Sequence, residues 1–227
     1  MARTQGTLQF GGEKSPSVGP KVGITTWYML CIASATWLTY FRDGTDVAGS
    51  TTRHAALLLF ALIYVARASS SLFVFVTRKI PWWEAAYGGG MIGIVLFTFL
   101  LQGLRAVQPL ESIDALGVIC YAAGSYLGTA SEYHRHRWKR KPENAGLPYT
   151  QGLFRYSRHI NYFGDLLLFA GLGVLTRQVW TLIVPVAMGL NFVLFLIPAQ
   201  DAYLAAKYGN TFAEYARQTK KLIPFLY

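Results

Sequence analysis

The chain has 227 residues, of which 53% are hydrophobic and 14% charged, with a mean hydropathy of +0.31. This composition excludes an ordinary soluble domain, and the length leaves room for one membrane domain, so the chain reads as an all-α polytopic membrane protein. The net charge of +10 is local, gathered in a central stretch and in the tail; set between apolar segments, it excludes nucleic acid as a partner and leaves the lipid bilayer in its place.

Residues 1–21 are polar, with Arg3, Lys14 and Lys21 against Glu13, and lack the apolar core and cleavage pattern of a signal peptide. They read as a flexible cytosolic lead; a transit peptide is the alternative, weakened by a poor amphipathic pattern. Residues 22–227 read as a single membrane domain. Its first span, 22–41, holds no charge across 20 residues, about 30 Å of helix and hence the thickness of the hydrocarbon layer. The second is 55–77, broken only by Arg67, and the third is 85–104, opening after Trp82, Trp83 and Glu84 with aromatics at the expected interface. A shorter fourth covers 115–131. Beyond a basic stretch, 160–176 and 178–197 are joined so tightly at Arg177 that they form an antiparallel hairpin, which brings the total to six. From residue 200 the tail reads as two short surface helices, 201–208 stopped by Gly209-Asn210 and a second opened by a capping box of Thr211 and Glu214. Cys31 and Cys120 each lie within an apolar run and read as small buried side chains, not as a disulfide.

Sixteen of the 21 lysines and arginines fall in the lead, at Arg78-Lys79, in 132–159 and in the tail. That bias puts both ends and the basic stretch on the positive side of the membrane. The expected location is the endoplasmic reticulum or another intracellular membrane, the mitochondrial inner membrane included. Seven of the cations lie between Arg135 and Arg158. Basic residues this dense at a membrane surface either mark topology or grip phosphate, and one stretch can do both. His134, His136 and His159 with Glu132 have the residue types of a metal site, but the surrounding cations repel an ion, so no metal is expected.

Residues 152–165, GLFRYSRHINYFGD, resemble the C-terminal signature of the membrane steroid 5-alpha-reductase and sterol reductase superfamily, G-L-F-x-Y-x-x-x-x-N-Y-F-G-[ED]. The isoprenylcysteine carboxyl methyltransferases share a looser form, G-x-Y-x-x-x-R-H-P-x-Y-x-G. The resemblance extends upstream to Lys141-Pro142 and downstream through Lys207-Tyr208-Gly209 to 222–227, so 115–227 is the reductase-like half. It implies that these segments hold NADPH, whose pyrophosphate and 2′-phosphate call for cations, ideally arginines capable of bidentate contacts. Arg135, Arg137, Lys139, Lys141, Arg155 and Arg158 supply them, Glu132 is placed to accept from a ribose hydroxyl, and Tyr156 or Tyr162 to stack or hydrogen-bond. His159, Asp201 and Tyr208 complete the cofactor set that the resemblance implies. By the same resemblance Asn161 matches the asparagine on the nicotinamide amide and Asp165 the acid close by. The two are four residues apart and share one helical face. A carboxylate within a span is costly, so Asp165 reads as functional, or else as the partner of a nearby arginine.

Three functions compete. In the first, a membrane oxidoreductase moves hydride from NADPH to a conjugated C=C bond of a steroid or other lipophilic enone. The 5-alpha-reductases carry a glutamine-glutamate pair in an early span and have seven spans; neither feature is present here. Proton donation then falls to Tyr64, Glu84 or Tyr87, or is absent, with Asp165 as the remaining catalytic candidate, although a tyrosine such as Tyr64 is more often an ordinary packed aromatic. Arg67 either lines a ligand cavity or pairs with Asp165 or Glu84. In the second, the Arg158-His159 pair serves an S-adenosylmethionine-dependent methyltransferase, although Ile160 stands where that family has proline. In the third, the chain is a non-catalytic accessory subunit of a membrane assembly.

Overall fold

A computed structural model describes residues 15–42 and 50–227, and every named element among them is helical. Helix α1, Val18–Trp37, continues into a π-helical turn, Leu38–Arg42. Helix α2, Thr51–Ser70, ends in a second such turn, Ser71–Phe75. Helix α3, Trp82–Leu104, follows the extended Pro81 and contains a third turn of this kind, Ala85–Gly89. Helix α4 is Ser112–Lys139, α5 is Ile160–Leu175, α6 is Val179–Tyr208 and α7 is Asn210–Gln218.

Helices α1 to α4 and α6, with their π turns, are long and apolar enough to cross a membrane. Of the six expected spans, the fifth is the exception: α5 has 16 residues, about 24 Å, less than the hydrocarbon thickness. The first 14 residues of the expected lead lie outside the described residues, but its end does not behave as a lead. Val18 to Lys21 form the first turn of α1, and the buried Lys21 ammonium donates to the Val76 carbonyl at 2.7 Å.

The basic stretch is also more helical than expected. Helix α4 continues eight residues past 131, because a cationic last turn complements the helix dipole and Glu132 pairs with Arg135 one turn on. In the tail, 201–208 is not a separate surface helix but the end of α6. Gly209, at φ 56°, terminates it in a conformation that suits glycine, and the same residue precedes α7. The expected capping box does not form, since α7 has no side-chain cap.

The described residues fall into two compact units. One combines 15–42 and 50–122 with Leu168–Val184. Here Gly89 and Gly93 of α3 form a smooth face for α1: a Cβ at Gly93 would lie 2.1 Å from the Trp27 ring, whose indole N–H reaches the Gly90 carbonyl at 3.2 Å. Small residues four apart are how membrane helices achieve such approach. Tyr64 packs on Tyr28 and Phe169, at ring separations of 6.0 and 5.5 Å. Arg53, expected in a connecting loop, is 0% exposed. Its guanidinium forks onto Asp114 at 2.7 and 2.8 Å and also donates to the Gln108, Pro109 and Leu175 carbonyls. A buried charge survives only with this completeness of pairing.

The second unit holds Ala123–Leu167 and Pro185–Tyr227. Its apolar cluster is Phe192, Ile197 and Leu222, with Tyr162, Phe163 and Leu166 packed against it. Gly164 lies so close to α4 that a Cβ there would sit 2.7 Å from the Gly128 nitrogen and 2.8 Å from the Gly124 oxygen.

Candidate cofactor site

That close approach of α4 and α5 places Asn161, in the first turn of α5, within reach of Glu132. The Asn161 amide donates to Glu132 Oε1 at 3.1 Å, while Arg135 pairs with Oε2 of the same carboxylate. The Arg135 guanidinium also lies 5.8 Å from the Phe154 ring centre. Three residues that the sequence marks as cofactor ligands, separated by up to 29 positions, therefore form one hydrogen-bonded group. Asp165 is half-buried one turn further along α5.

Around this group the cations divide into two kinds. Arg137, Lys139, Arg140, Lys141 and Arg155 are exposed. Arg137 rests over Tyr133 and Arg155 over Tyr156, whose hydroxyl Arg155 also meets. Lys139 donates to the Tyr208 hydroxyl at 2.9 Å and to the Leu147 carbonyl, and Lys207 lies 5.3 Å from the same Tyr208 ring. These contacts hold the side chains in place while leaving N–H donors to solvent, which suits them to phosphate.

Arg158 and His159 are of the other kind, 8% and 1% exposed. Arg158 donates to the Ala216 and Thr219 carbonyls at 2.7 and 2.6 Å and to Asp201 Oδ2 at 2.9 Å; His159 Nε2 meets Asp201 Oδ1 at 3.0 Å. Their backbone amides donate to the Lys220 and Lys221 carbonyls, and the Ser157 hydroxyl to Lys221 and Leu222. The Arg158, His159 and Asp201 side chains thus bind the end of α6 and the tail to the foot of α5. Tyr162 is similarly committed: its ring stacks on His159 and on Phe192, the latter at 4.6 Å, and its hydroxyl donates to Gln200 at 2.8 Å. Tyr215, unmarked in the sequence, donates to the Phe154 carbonyl at 2.6 Å, and burial pushes its phenol pKa above the usual range, so that it remains a donor.

Tyr64 and Glu84 belong to the other unit. Tyr64 is the packed aromatic described above. Glu84 binds Arg78 through both oxygens. That ion pair raises the Arg78 pKa above its usual value.

The fold and this group define an all-helical, membrane-spanning protein with a polar, cation-rich end on α4. The chain belongs to the DUF1295 family, described as proteins of unknown function, whose profile matches residues 90–219. It is also similar to the Delta(14)-sterol reductase of Methylotuvimicrobium alcaliphilum, with 25% identity over 161 residues, 58% of this chain and 35% of that protein. The chain therefore spans little more than a third of the length of that relative.

Proposed function

We propose that the protein is a membrane oxidoreductase that reduces the conjugated C=C bond of a steroid or other lipophilic enone with NADPH. The observation that carries this reading is the Asn161–Glu132–Arg135 group beside exposed cations. The signature at 152–165, the family match and the likeness to a sterol reductase support it.

The residues present fit NADPH. Arg137, Lys139, Lys141 and Arg155 have solvent-facing donors for its phosphates, and Tyr156 and Tyr208 lie among them. Asn161, half-buried and oriented by Glu132, offers an amide for the carboxamide of the ring and so determines which ring face is presented. NADPH, when bound, supplies the hydride. Arg158, His159, Asp201 and Tyr162 support this arrangement from behind, holding α5 and the tail in register, and Asp165 is the carboxyl next along the same helix. The positive-inside bias places the basic end of α4 on the cytosolic or equivalent side, where the cofactor is available.

The accessory-subunit reading stands beside it on one observation: Glu84 and Tyr64, two of the three proton-donor candidates, are engaged in an ion pair and in aromatic packing. Titrating the purified protein with NADPH, NADH and S-adenosylmethionine while following thermal stability tests the cofactor. NADPH at 100 times its Kd should stabilise the protein by about 2.7 kcal/mol, and Asn161→Ala should weaken that effect or abolish turnover. Stabilisation by S-adenosylmethionine alone would sink the reductase reading. NADPH binding without consumption across a panel of enone steroids and lipids would favour the accessory role.

A further inference from the structure

The tail ends in a feature that the reductase reading does not use. The Tyr227 carbonyl accepts the amides of Leu222 and Ile223 at 2.7 and 2.8 Å, closing 222–227 into a small loop in which Phe225 adopts φ 66°. Leu222 points inward and is buried with Phe192 and Ile197. At the apex the reverse holds: Phe225 and Leu226 are each 76% exposed, and Tyr227 and Ile223 are exposed beside them. A loop tied by its own backbone, with one apolar side chain seated and four displayed, offers its apolar surface without further ordering.

The surroundings of this tip are cationic. The Lys221 ammonium lies 5.4 Å from the Tyr227 ring centre, and Lys220 is exposed. The Phe225 ring lies 5.6 Å from Tyr156, which carries Arg155 on its face at 4.6 Å. The level of the tip is set by hydrogen bonds. Arg158 and His159 donate their amides to Lys220 and Lys221 at 2.9 and 3.1 Å, and those two residues immediately precede Ile160, where the uncharged first turn of α5 begins. The lysines are therefore held at the start of the apolar helix α5, which the positive-inside bias puts at the headgroup level. Aromatic and aliphatic side chains at that depth partition into the interface, and adjacent lysines attract anionic lipid.

We propose that residues 220–227 are an interfacial anchor for anionic lipid: Phe225, Leu226 and Tyr227 enter the headgroup region while Lys220 and Lys221 meet lipid phosphates or carboxylates. The anchor is independent of what the chain catalyses. The test places a nitroxide at Leu226→Cys in the full chain, with Cys31 and Cys120 replaced by alanine, in nanodiscs of phosphatidylglycerol or of phosphatidylcholine. A second label at the exposed Glu214→Cys serves as reference, and slow exchange of the His159 amide confirms that the tail is seated.

In phosphatidylglycerol discs the label at 226 should be shielded from a water-soluble relaxant and reached by oxygen, with the label at 214 open to the relaxant. Lys220→Gln with Lys221→Gln should reduce the inserted fraction relative to the free one by about fivefold per lysine, about 30-fold for the pair. Equal water access at 226 with and without the lysines would overturn the proposal. So would a label that is open in both kinds of disc but shielded in native membranes, an outcome that would assign the tip to a protein partner.

Discussion

Arg158 gives the sharpest test, because the sequence offers it as a phosphate ligand and the structure uses it internally. Glutamine at this position removes three charge-assisted donors, leaving the Ala216 and Thr219 carbonyls without them and Asp201 with His159 alone. Hydrogen bonds involving charged groups contribute about 1.5–3 kcal/mol each, and breaking a buried pair costs about 3–5 kcal/mol. Taking the second figure for the whole clamp, local detachment of the tail becomes easier by roughly two to four orders of magnitude. Amide exchange reads this directly, since the amides of residues 158 and 159 are the donors to Lys220 and Lys221. Both should exchange about 10²–10⁴-fold faster in Arg158→Gln, less so in Arg158→Lys, which keeps the charge but loses the fork. The exposed Arg155→Gln should leave these amides unchanged. If Arg158→Gln lowers NADPH affinity while the two amides stay as protected as before, the clamp reasoning is wrong and Arg158 is a cofactor ligand after all.

Two other sites test the packing within each unit. Gly164→Ala puts a methyl group against backbone atoms of Gly124 and Gly128, which cannot rotate away. A cost of about 1–3 kcal/mol in thermal unfolding is expected, with loss of the Asn161–Glu132 bond, whereas Gly189→Ala, 3.7 Å from the flexible Leu166 side chain, should be silent. Asp114→Ala leaves the fully buried Arg53 guanidinium without its carboxylate and should cost about 3–5 kcal/mol, and Arg53→Met with Asp114→Leu should recover much of that loss. Detergent unfolding of the double variant no more stable than Asp114→Ala would refute that account.

The spans are readable because runs such as 22–41 and 85–104 carry no charge, and uncharged length is what a bilayer requires. Helix ends beyond the hydrocarbon are not readable that way. Hydropathy stops α4 at 131 where the cations begin, yet those cations suit a helix C-terminus, and it stops α6 at 197 before Pro198, although the chain passes that proline behind the π turn Phe192–Leu196 and stays helical to Tyr208. The Asn161–Glu132–Arg135 group was legible residue by residue, but not as a group. The inward use of Arg158 was hidden, since its partners lie 43 to 61 positions away. Arg53 was hidden in the same way; the one available signal was Asp114, an acid standing at the mouth of an apolar run with no local cation beside it.

The seam between residues 157–159 and 219–222 also has a clock built into it. Arg158 and Thr219 are 61 positions apart with α5 and α6 between them, so at about 5–20 residues per second the ribosome takes roughly 3–12 s to supply the second half of the contact after the first. During that interval the apolar helices α5 and α6 are made, Asp201 among them, while the Arg158 guanidinium still lacks its tail carbonyls. The seam therefore closes late in synthesis, after α5 and α6 have been made. A chain arrested before residue 219 would hold its helices in the bilayer with the foot of α5 still open.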